Sequence, residues 1–359
     1  MKTTKLVFFS IGIFVILLTV LPLSNLDYWW IRMLDFPHLQ LTFLTLIALI
    51  LYLIKIDVKA PKDYAFIVIL IICGAFQLHK IYPYTPLAPY EVQSASSNTK
   101  GISIYTCNVH QKNDSIELVL EQIKKFDPDI VLLTETNQKW TKNISNHLNS
   151  TYEYKVEIPL ENTYGMLLYS RLKLFDANVR YLVSDSVPSI HSKILISKND
   201  TIQLRAIHPT PPMPQENDMS TDRDTEMMMI AKMALDSDLP VVTVGDFNDV
   251  AWSKTSVLFQ EVSRLLDVRK GRGLFNTFDA NNLIMRWPLD HIFISSEFRL
   301  KSVEKCEDVN SDHFPLYTEL SYEPELANLQ RRKPPSEDNL KAAEDQIKIF
   351  NANDKRITK

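Results

Sequence analysis

The sequence predicts an α/β sandwich preceded by three transmembrane helices, and three observations carry that prediction. Short apolar, β-rich runs recur between residues 101 and 322, with two or three helical patterns among them. Three uncharged apolar runs crowd the first eighty residues. The stretches on either side of the β-rich region, 82–100 and 323–359, carry no core-forming pattern. The chain of 359 residues therefore divides into a membrane domain (1–81), a linker (82–100), a globular domain (101–322) and a polar, disordered tail (323–359).

The membrane runs come first. Residues 6–22 carry no charge and lie behind Lys2 and Lys5; further uncharged runs cover 39–54 and 64–78. Crossing a bilayer takes about 20 mainly apolar residues. The first run meets that length, and the others reach it with flanking residues such as Phe36 and Ile81. A cleaved signal peptide would explain the first run alone, and no small-residue cleavage pattern follows it. Lys2, Lys5, Lys55, Lys59 and Lys62 flank one side, against Arg32 and Lys80 on the other. That bias places the N-terminus in the cytoplasm. Three crossings then put everything after residue 82 outside it, in a multi-pass protein of the cytoplasmic membrane. Tyr28, Trp29 and Trp30 fall where an interfacial aromatic belt is expected.

Residues 82–100 are rich in proline, serine and threonine, the composition of a stiff, then flexible spacer. "GISIYTCNVH" (101–110) alternates as a strand ending near Asn108, and "SIELVLEQIKKF" (115–126) lays one apolar stripe over a charged face. "IVLLTET" (130–136) is a buried strand with Glu135 at its end. Runs 165–171, 192–198 and 202–208 read as further strands, and 220–237 as a helix capped by Ser220 or Thr221. "VVTVG" (241–245), "LDHIFIS" (289–295) and "FPLYTELSY" (314–322) complete the set. The tail has a short helical pattern at 338–349 and little to form a core.

Polar residues collect at the tips of these runs. Asn108, Glu135, His208, Asp246 with Asn248, Asp290, and Asp312 with His313 each sit at or just past the end of an apolar β-run. Each alone has an ordinary reading as a turn former or a solvated charge. Together they describe strand ends converging on one site. Asp246 and Asn248 are two apart, so on an extended chain both side chains leave one face, and Gly245 lets the backbone pass closely beneath them. His291 alternates to the other face of its strand and is expected to be structural.

Acids and amides with two histidines, and no cysteine cluster, suit a hard cation such as Mg²⁺, Mn²⁺ or Ca²⁺. Cys73, Cys107 and Cys306 have no ligand spacing and read as small buried hydrophobes. A hard cation with waters left in its shell is the usual partner of phosphate chemistry. The net charge of -4 argues against a non-specific nucleic-acid coat protein, though not against an enzyme acting on phosphate at one local site.

In this order and spacing, "LLTETN", "GDFND", "LDHIFIS" and "SDHFPL" resemble the endonuclease/exonuclease/phosphatase superfamily, over about 100–322. With Trp252 and Ser253 after "GDFND", the similarity extends to its membrane-anchored bacterial branch. The resemblance implies a four-layered α/β/β/α sandwich and a phosphohydrolase using Mg²⁺ or Mn²⁺. It implies that Glu135, with Asn108 beside it and Asp312 completing the network, holds the metal. Asp246 would orient or deprotonate the attacking water, and Asn248 would hold the phosphate or that aspartate. His313, oriented by Asp290, would donate to the phosphate, and His208 would act on the phosphate or leaving oxygen.

Substrate is less determined. Arg286 and Trp287 are candidates for phosphate pairing and stacking. Arg171, Lys173, Arg205, Arg223, Lys254, Arg269, Lys270 and Arg272 are further cations, each read singly as a solvated surface charge. The expected substrate is a phosphodiester or membrane-linked phosphate ester. An extracytoplasmic nuclease on DNA or RNA is the alternative, and a non-catalytic membrane scaffold is the alternative of another class. Besides substrate and bilayer, no obligate protein partner is evident.

Overall fold

The computed structural model describes residues 2–24, 26–96 and 101–353. Strands β1 (Gly101–Asn108), β2 (Ile130–Thr134), β3 (Tyr154–Ile158) and β4 (Met166–Ser170) form one six-stranded sheet with β11 (Phe298–Lys305) and β12 (Leu316–Tyr322). Its order is β11-β12-β1-β2-β4-β3. The second holds β5 (Leu174–Arg180), β6 (Ser189–Leu195), β7 (Thr201–Ile207), β8 (Val241–Asp246), β9 (Leu266–Asp267) and β10 (Asp290–Ile294). Its order is β5-β6-β7-β8-β10-β9.

Side-chain alternation explains the layering. On β1 and β2, Ile102, Ile104, Ile130 and Leu132 point between the sheets and meet Leu204, Val242, Val244 and Ile292. Their neighbours Tyr105, Cys107, Val131 and Leu133 face the other way. They are covered by α5 (Ile116–Phe126) and α6 (Gln138–Leu148), through residues such as Val119, Ile123, Trp140 and Ile144. On the far sheet Ile207, Val241 and Phe293 pack under α7 (Thr221–Leu235) and α8 (Lys254–Ser263). The result is an α/β sandwich of two mixed sheets flanked by helices. All three cysteines are buried and free.

Topology brings the strand tips to one edge. β1 and β2 run parallel, as do β7 and β8. β12 is antiparallel to β1, and β10 antiparallel to β8. The C-terminal ends of β1, β2, β7 and β8 therefore lie on the side where β10 and β12 begin. That edge carries Asn108, Glu135, His208, Asp246, Asp290 and His313. At Gly245 (φ 144°) β8 comes so close to β7 that a Cβ would overlap the Ile207 carbonyl oxygen.

The N-terminal region is helical: α1 (Lys2–Val20), the short α2 (Trp29–Arg32), α3 (His38–Leu53) and α4 (Pro61–Ile81). Two helices, Thr3–Leu23 and Pro61–Tyr84, are long and apolar enough to cross a membrane. A third span arises only if Trp29–Asp35 and His38–Leu53, bent by 74° at their break, count as one. The three spans expected from hydropathy are therefore reached only if this bent pair is one span; at its break the chain turns, with Pro37 at the N-cap of α3. Leu6, Phe14, Leu17, Phe43, Ile47, Ile50, Ile69 and Ile72 are exposed around the bundle. Inside it, Gln77 Nε2 donates to Thr19 Oγ1 (2.7 Å) and Thr45 Oγ1 to Gln77 Oε1 (2.9 Å).

Two segments differ from their compositional reading. Within 82–96 the chain is packed, not loose: Val92 is buried between the sheets, and Gln93 and Ala95 exchange backbone hydrogen bonds with Leu300 (3.0 and 2.8 Å). Residues 97–100 of the expected linker lie outside the described residues. The tail forms α9 (Glu337–Asn353), which lays Leu340, Ala343 and Ile347 on the α7–α8 layer. A disordered tail is therefore not what the chain makes up to residue 353; the last six residues, 354–359, lie outside the description. Leu340, Ala343 and Ile347 follow the three-and-four spacing of one helical face, so a narrow apolar stripe suffices to dock a mostly charged helix.

Candidate active site

The floor of the site is a hydrogen-bonded cluster across the two sheets. Asn108 Nδ2 donates to Glu135 Oε1 (2.8 Å) and to Asp246 Oδ2 (3.0 Å), tying an acid of one sheet to an acid of the other. Asn108 Oδ1 accepts from the His110 backbone N–H (3.0 Å). Glu135 Oε2 accepts only a long contact from Gln111 N–H (3.3 Å), which leaves acceptor capacity toward the cleft. Asp246 Oδ1 accepts from Asn248 N–H (2.9 Å).

Backbone conformation sets these directions. Glu135 (φ 59°), Asn248 (φ 51°) and His110 (φ 54°) all adopt the left-handed conformation. Side chains disfavour that region, and its concentration at one edge is the pattern of strained functional loops. It also corrects the extended-chain argument for Asp246 and Asn248. β8 ends at Asp246, the chain then turns, and Asn248 Nδ2 donates to Pro209 O (2.9 Å). The two residues converge through the turn rather than through strand alternation.

His313 lies between two carboxylates. Its Nδ1 is 2.8 Å from Asp290 Oδ2, and its Nε2 is 3.5 Å from Asp246 Oδ2. Burial works against a charged ring, but Asp290 and then Asp246 outweigh it and hold the imidazole well above its ordinary pKa. A protonated ring with Nδ1 committed to Asp290 presents Nε2–H as a donor. Ser311 positions the segment from below, donating to Asn108 O (2.7 Å) and accepting from His313 N–H (3.1 Å). His208 Nε2 is 3.8 Å from Asp246 Oδ2, its buried Nδ1 has no partner among the described residues, and its ring lies 5.4 Å from that of Tyr164. Tyr164 in turn donates to Glu216 (3.0 Å).

Asp246, Asp290 and His313 have ligand atoms within 4.8 Å of one another. As a metal-binding trio they fit poorly, because a charged imidazolium has no lone pair to give. A hard cation is better matched by the oxygen donors: the open side of Glu135, and Asp312 on the cleft wall. Asn108 would join them only through Oδ1.

Above this floor lies a cleft of about 330 Å³ lined by Glu135, His208, Asn248, Asp312 and His313 together with apolar side chains. Arg286 and Trp287 are not among its lining residues. Arg286 donates to the carbonyls of Asp279 (3.2 Å) and Ala280 (2.8 Å) and lies over Phe314. Trp287 packs on Phe278 and Phe36. The guanidinium closes its own loop.

Behind the site stand buried charges that the sequence offers as surface cations. Arg223 donates to Asp224 (2.8 Å) and to Asn248 O (2.8 Å), and lies 3.3 Å from Asp249. Arg269 pairs with Asp267 (2.7 Å) and donates to Asp290 O (3.1 Å). His291 is structural: burial, then Arg269, lowers its pKa to about 3. The neutral ring bridges Arg269 (2.6 Å) and Asp249 O (2.8 Å). An arginine flanked by acids reads the same on a surface helix, so only the fold reveals these pairs. Met33 and Phe36, which also line the cleft, come from the N-terminal helices and had no local signal.

Comparison with solved structures places the sandwich among known folds. TDP2 of D. rerio, in complex with a single-strand DNA product, is 15 % identical with a TM-score of 0.52, covering 61 % of this chain and 98 % of that one. An endonuclease/exonuclease/phosphatase from Bacteroides vulgatus is 18 % identical with a TM-score of 0.51, covering 62 % and 99 %. A functionally unknown conserved protein from Enterococcus faecalis V583 is 16 % identical with a TM-score of 0.51, covering 62 % and 100 %. At these identities the likeness is one of fold. Comparison with curated proteins gives no match. The family model for the Endonuclease/Exonuclease/phosphatase family, however, matches residues 95–313, and on that match the chain belongs to this family of divalent-metal-dependent hydrolases of phosphate esters.

Proposed function

We propose that the chain is a membrane-anchored phosphohydrolase that cleaves phosphate esters by in-line attack of an activated water, with its catalytic domain on the extracytoplasmic side. The observation that carries this reading is the His313 imidazole held between Asp290 and Asp246, in contact through Asn108 with Glu135. Glu135, Asp312 and Asn108 would hold a divalent cation such as Mg²⁺ or Mn²⁺. When bound, that ion neutralises charge on the phosphate oxygens and polarises the phosphorus.

The remaining work falls to the side chains. Asp246 has one oxygen fixed by Asn248 N–H and the other turned toward His208 and His313, so it can orient a water and receive its proton. His313 donates from Nε2 to a phosphate oxygen as charge builds, with Asp290 fixing the ring. His208 supplies a second imidazole against the phosphate or the leaving oxygen. Lysines at the far end of the helices support the sidedness.

The test uses the full chain in detergent with bis(p-nitrophenyl) phosphate under Mg²⁺ and Mn²⁺, with chelator as control. Asp246→Ala and His313→Ala are each expected to lower turnover by roughly 10²–10⁴-fold, the range for lost acid–base groups. Equal rates in wild type and both variants would leave a binding scaffold as the surviving reading.

A further inference from the structure

One wall of the cleft does not belong to the sandwich. Met33 and Phe36, between α2 and α3, line it beside Glu135 and His313. Phe36 meets Trp287 edge-on, with ring centroids 5.5 Å apart. The loop just before Trp287 ends in Leu283, Ile284 and Met285, exposed by 86 %, 74 % and 41 %. Single exposed apolar residues are ordinary, but three in a row on a loop tip are not. The tip is also held. Gln40 Nε2, in the first turn of α3, donates to Ile284 O (2.6 Å), and Arg286 closes the loop base on the carbonyls of Asp279 and Ala280. Beyond Gln40 the outward face of α3 continues with Phe43, Leu46, Ile47 and Ile50, all exposed. The apolar tip is thus continuous with the apolar flank of the helix bundle, at the end of the bundle that carries the active site.

The cleft has matching chemistry. Pro211, Pro212, Met213 and Leu289 join Met33 and Phe36 along its walls, and no lysine or arginine occurs among its described lining residues. A polynucleotide is held by a row of cations on its phosphates, which this cleft does not offer. A single phosphate on an apolar carrier fits it.

We propose that the substrate is a phosphate ester carried on a lipid, and that Leu283, Ile284 and Met285 dip into the bilayer beside α3 so that the head group enters the cleft from the membrane plane. The substrate half deepens the phosphohydrolase reading and rests on it; the insertion half does not.

The test therefore has two readouts on the full chain in proteoliposomes. In the first, Ile284→Cys carries a nitroxide label, the native cysteines being buried. Insertion predicts that the label collides with oxygen more than with a water-soluble nickel chelate; the reverse preference overturns the insertion. In the second, a Leu283→Asn, Ile284→Asn, Met285→Asn variant is compared with wild type under Mg²⁺ and Mn²⁺. The substrates are bis(p-nitrophenyl) phosphate in water, phosphatidylglycerol and polyprenyl pyrophosphate in the vesicles, and a single-stranded DNA oligonucleotide. The variant is expected to lose tenfold or more on at least one vesicle substrate while staying within twofold on the soluble ester, and the two lipid arms distinguish the carriers. Cleavage of the oligonucleotide with neither lipid touched overturns the substrate class, as does an equal loss on soluble and vesicle esters. Absence of metal-dependent hydrolysis of every ester removes the phosphohydrolase reading itself, and the label readout still decides insertion.

Discussion

At the scale of single residues, the site depends on which groups are committed and which are open. Asp290 is committed: one oxygen holds His313 Nδ1 at 2.8 Å, and the Asp290 backbone carbonyl is held by Arg269. Asp290→Asn keeps the shape but lets the ring choose the wrong tautomer. Turnover of a soluble phosphodiester is expected to fall roughly 10²-fold or more, with the circular dichroism spectrum unchanged. A loss confined to KM would contradict a role through His313. Glu226 on α7 supplies a second case, away from the chemistry. It is buried, its Oε1 has no hydrogen-bond partner among the described residues, and burial followed by the charge of Asp222 raises its pKa to about 8. The folded chain then keeps a proton that the unfolded chain releases near its ordinary 4.5. The Glu226 contribution to stability is fully present below about 4.5 and is lost as pH rises through 8, because the unfolded state binds fewer protons over that window. Glu226→Gln is expected to flatten this slope, matching wild type near pH 4.5 and exceeding it by roughly 1–4 kcal/mol near pH 8.5. Denaturant melts of both proteins at the two pH values measure it; parallel slopes would show that Glu226 is solvated.

At the scale of elements, the sandwich is only as precise as the approach of β7 to β8. Gly245 is the point of closest approach, with a φ of 144° that side chains rarely adopt and the Ile207 carbonyl in the place of a Cβ. Gly245→Ala is expected to push the strands apart, costing several kcal/mol by the mechanisms of strain and overpacking. The readout is accumulation and thermal melting of the variant; wild-type melting would mean that β8 shifts without consequence. This glycine was legible in "VVTVGDFND", because a lone glycine before a strand tip has few other uses. The central strands were legible for a similar reason: buried strands such as β2 and β8 are unbroken β-branched or leucine runs. β3, β5 and β11 escaped, since their burial is partial and their alternation is diluted by charge, as in "LFDANVR" with Asp176 and Arg180. α6 escaped too. Its cap, Asn137, accepts from Lys139 and Trp140 N–H, yet Trp140, Ile144 and Leu148 are separated by lysine, asparagine and histidine. The candidate site residues were easier to pick out than their supports. Tips of apolar runs can be picked out from a line of text, whereas the partner of a buried arginine is fixed only when two helices and a sheet have met.

At the scale of the whole molecule, the sandwich is seated on the helix bundle rather than hung from it. Lys5 pairs with Asp63 at one end, where Tyr52 OH (3.1 Å) and Asp57 N–H (2.7 Å) also donate to the same carboxylate. The opposite end meets the sandwich. Lys80 Nζ donates to Trp252 O (3.1 Å), Trp252 Nε1 to Asp35 O (2.8 Å), and Tyr84 OH to Ala251 O (2.8 Å). Backbone contacts from Trp29 to Asp218 (2.9 Å) and from Ser220 to Asp27 (2.8 Å) widen the seat. Composition could not reveal this, because a proline- and serine-rich stretch looks the same whether its hydrogen bonds go to water or to β11. Trp252 is the centre of the seat: nearly fully buried, ring against Tyr84, and two residues past Val250 on the loop that leaves Asn248. Trp252→Ala removes the bond to Asp35 and opens a cavity, at roughly 3–5 kcal/mol for a buried tryptophan. The sandwich has its own core between the sheets, so the expected outcome is separation rather than global unfolding. Limited proteolysis in nanodiscs should then cut near residues 82–96 faster than in wild type, releasing a folded fragment, while Met33 and Phe36 leave the cleft. If the domains release only when the sandwich itself melts, seat and sandwich form one cooperative unit, and cleft access is set by the whole molecule.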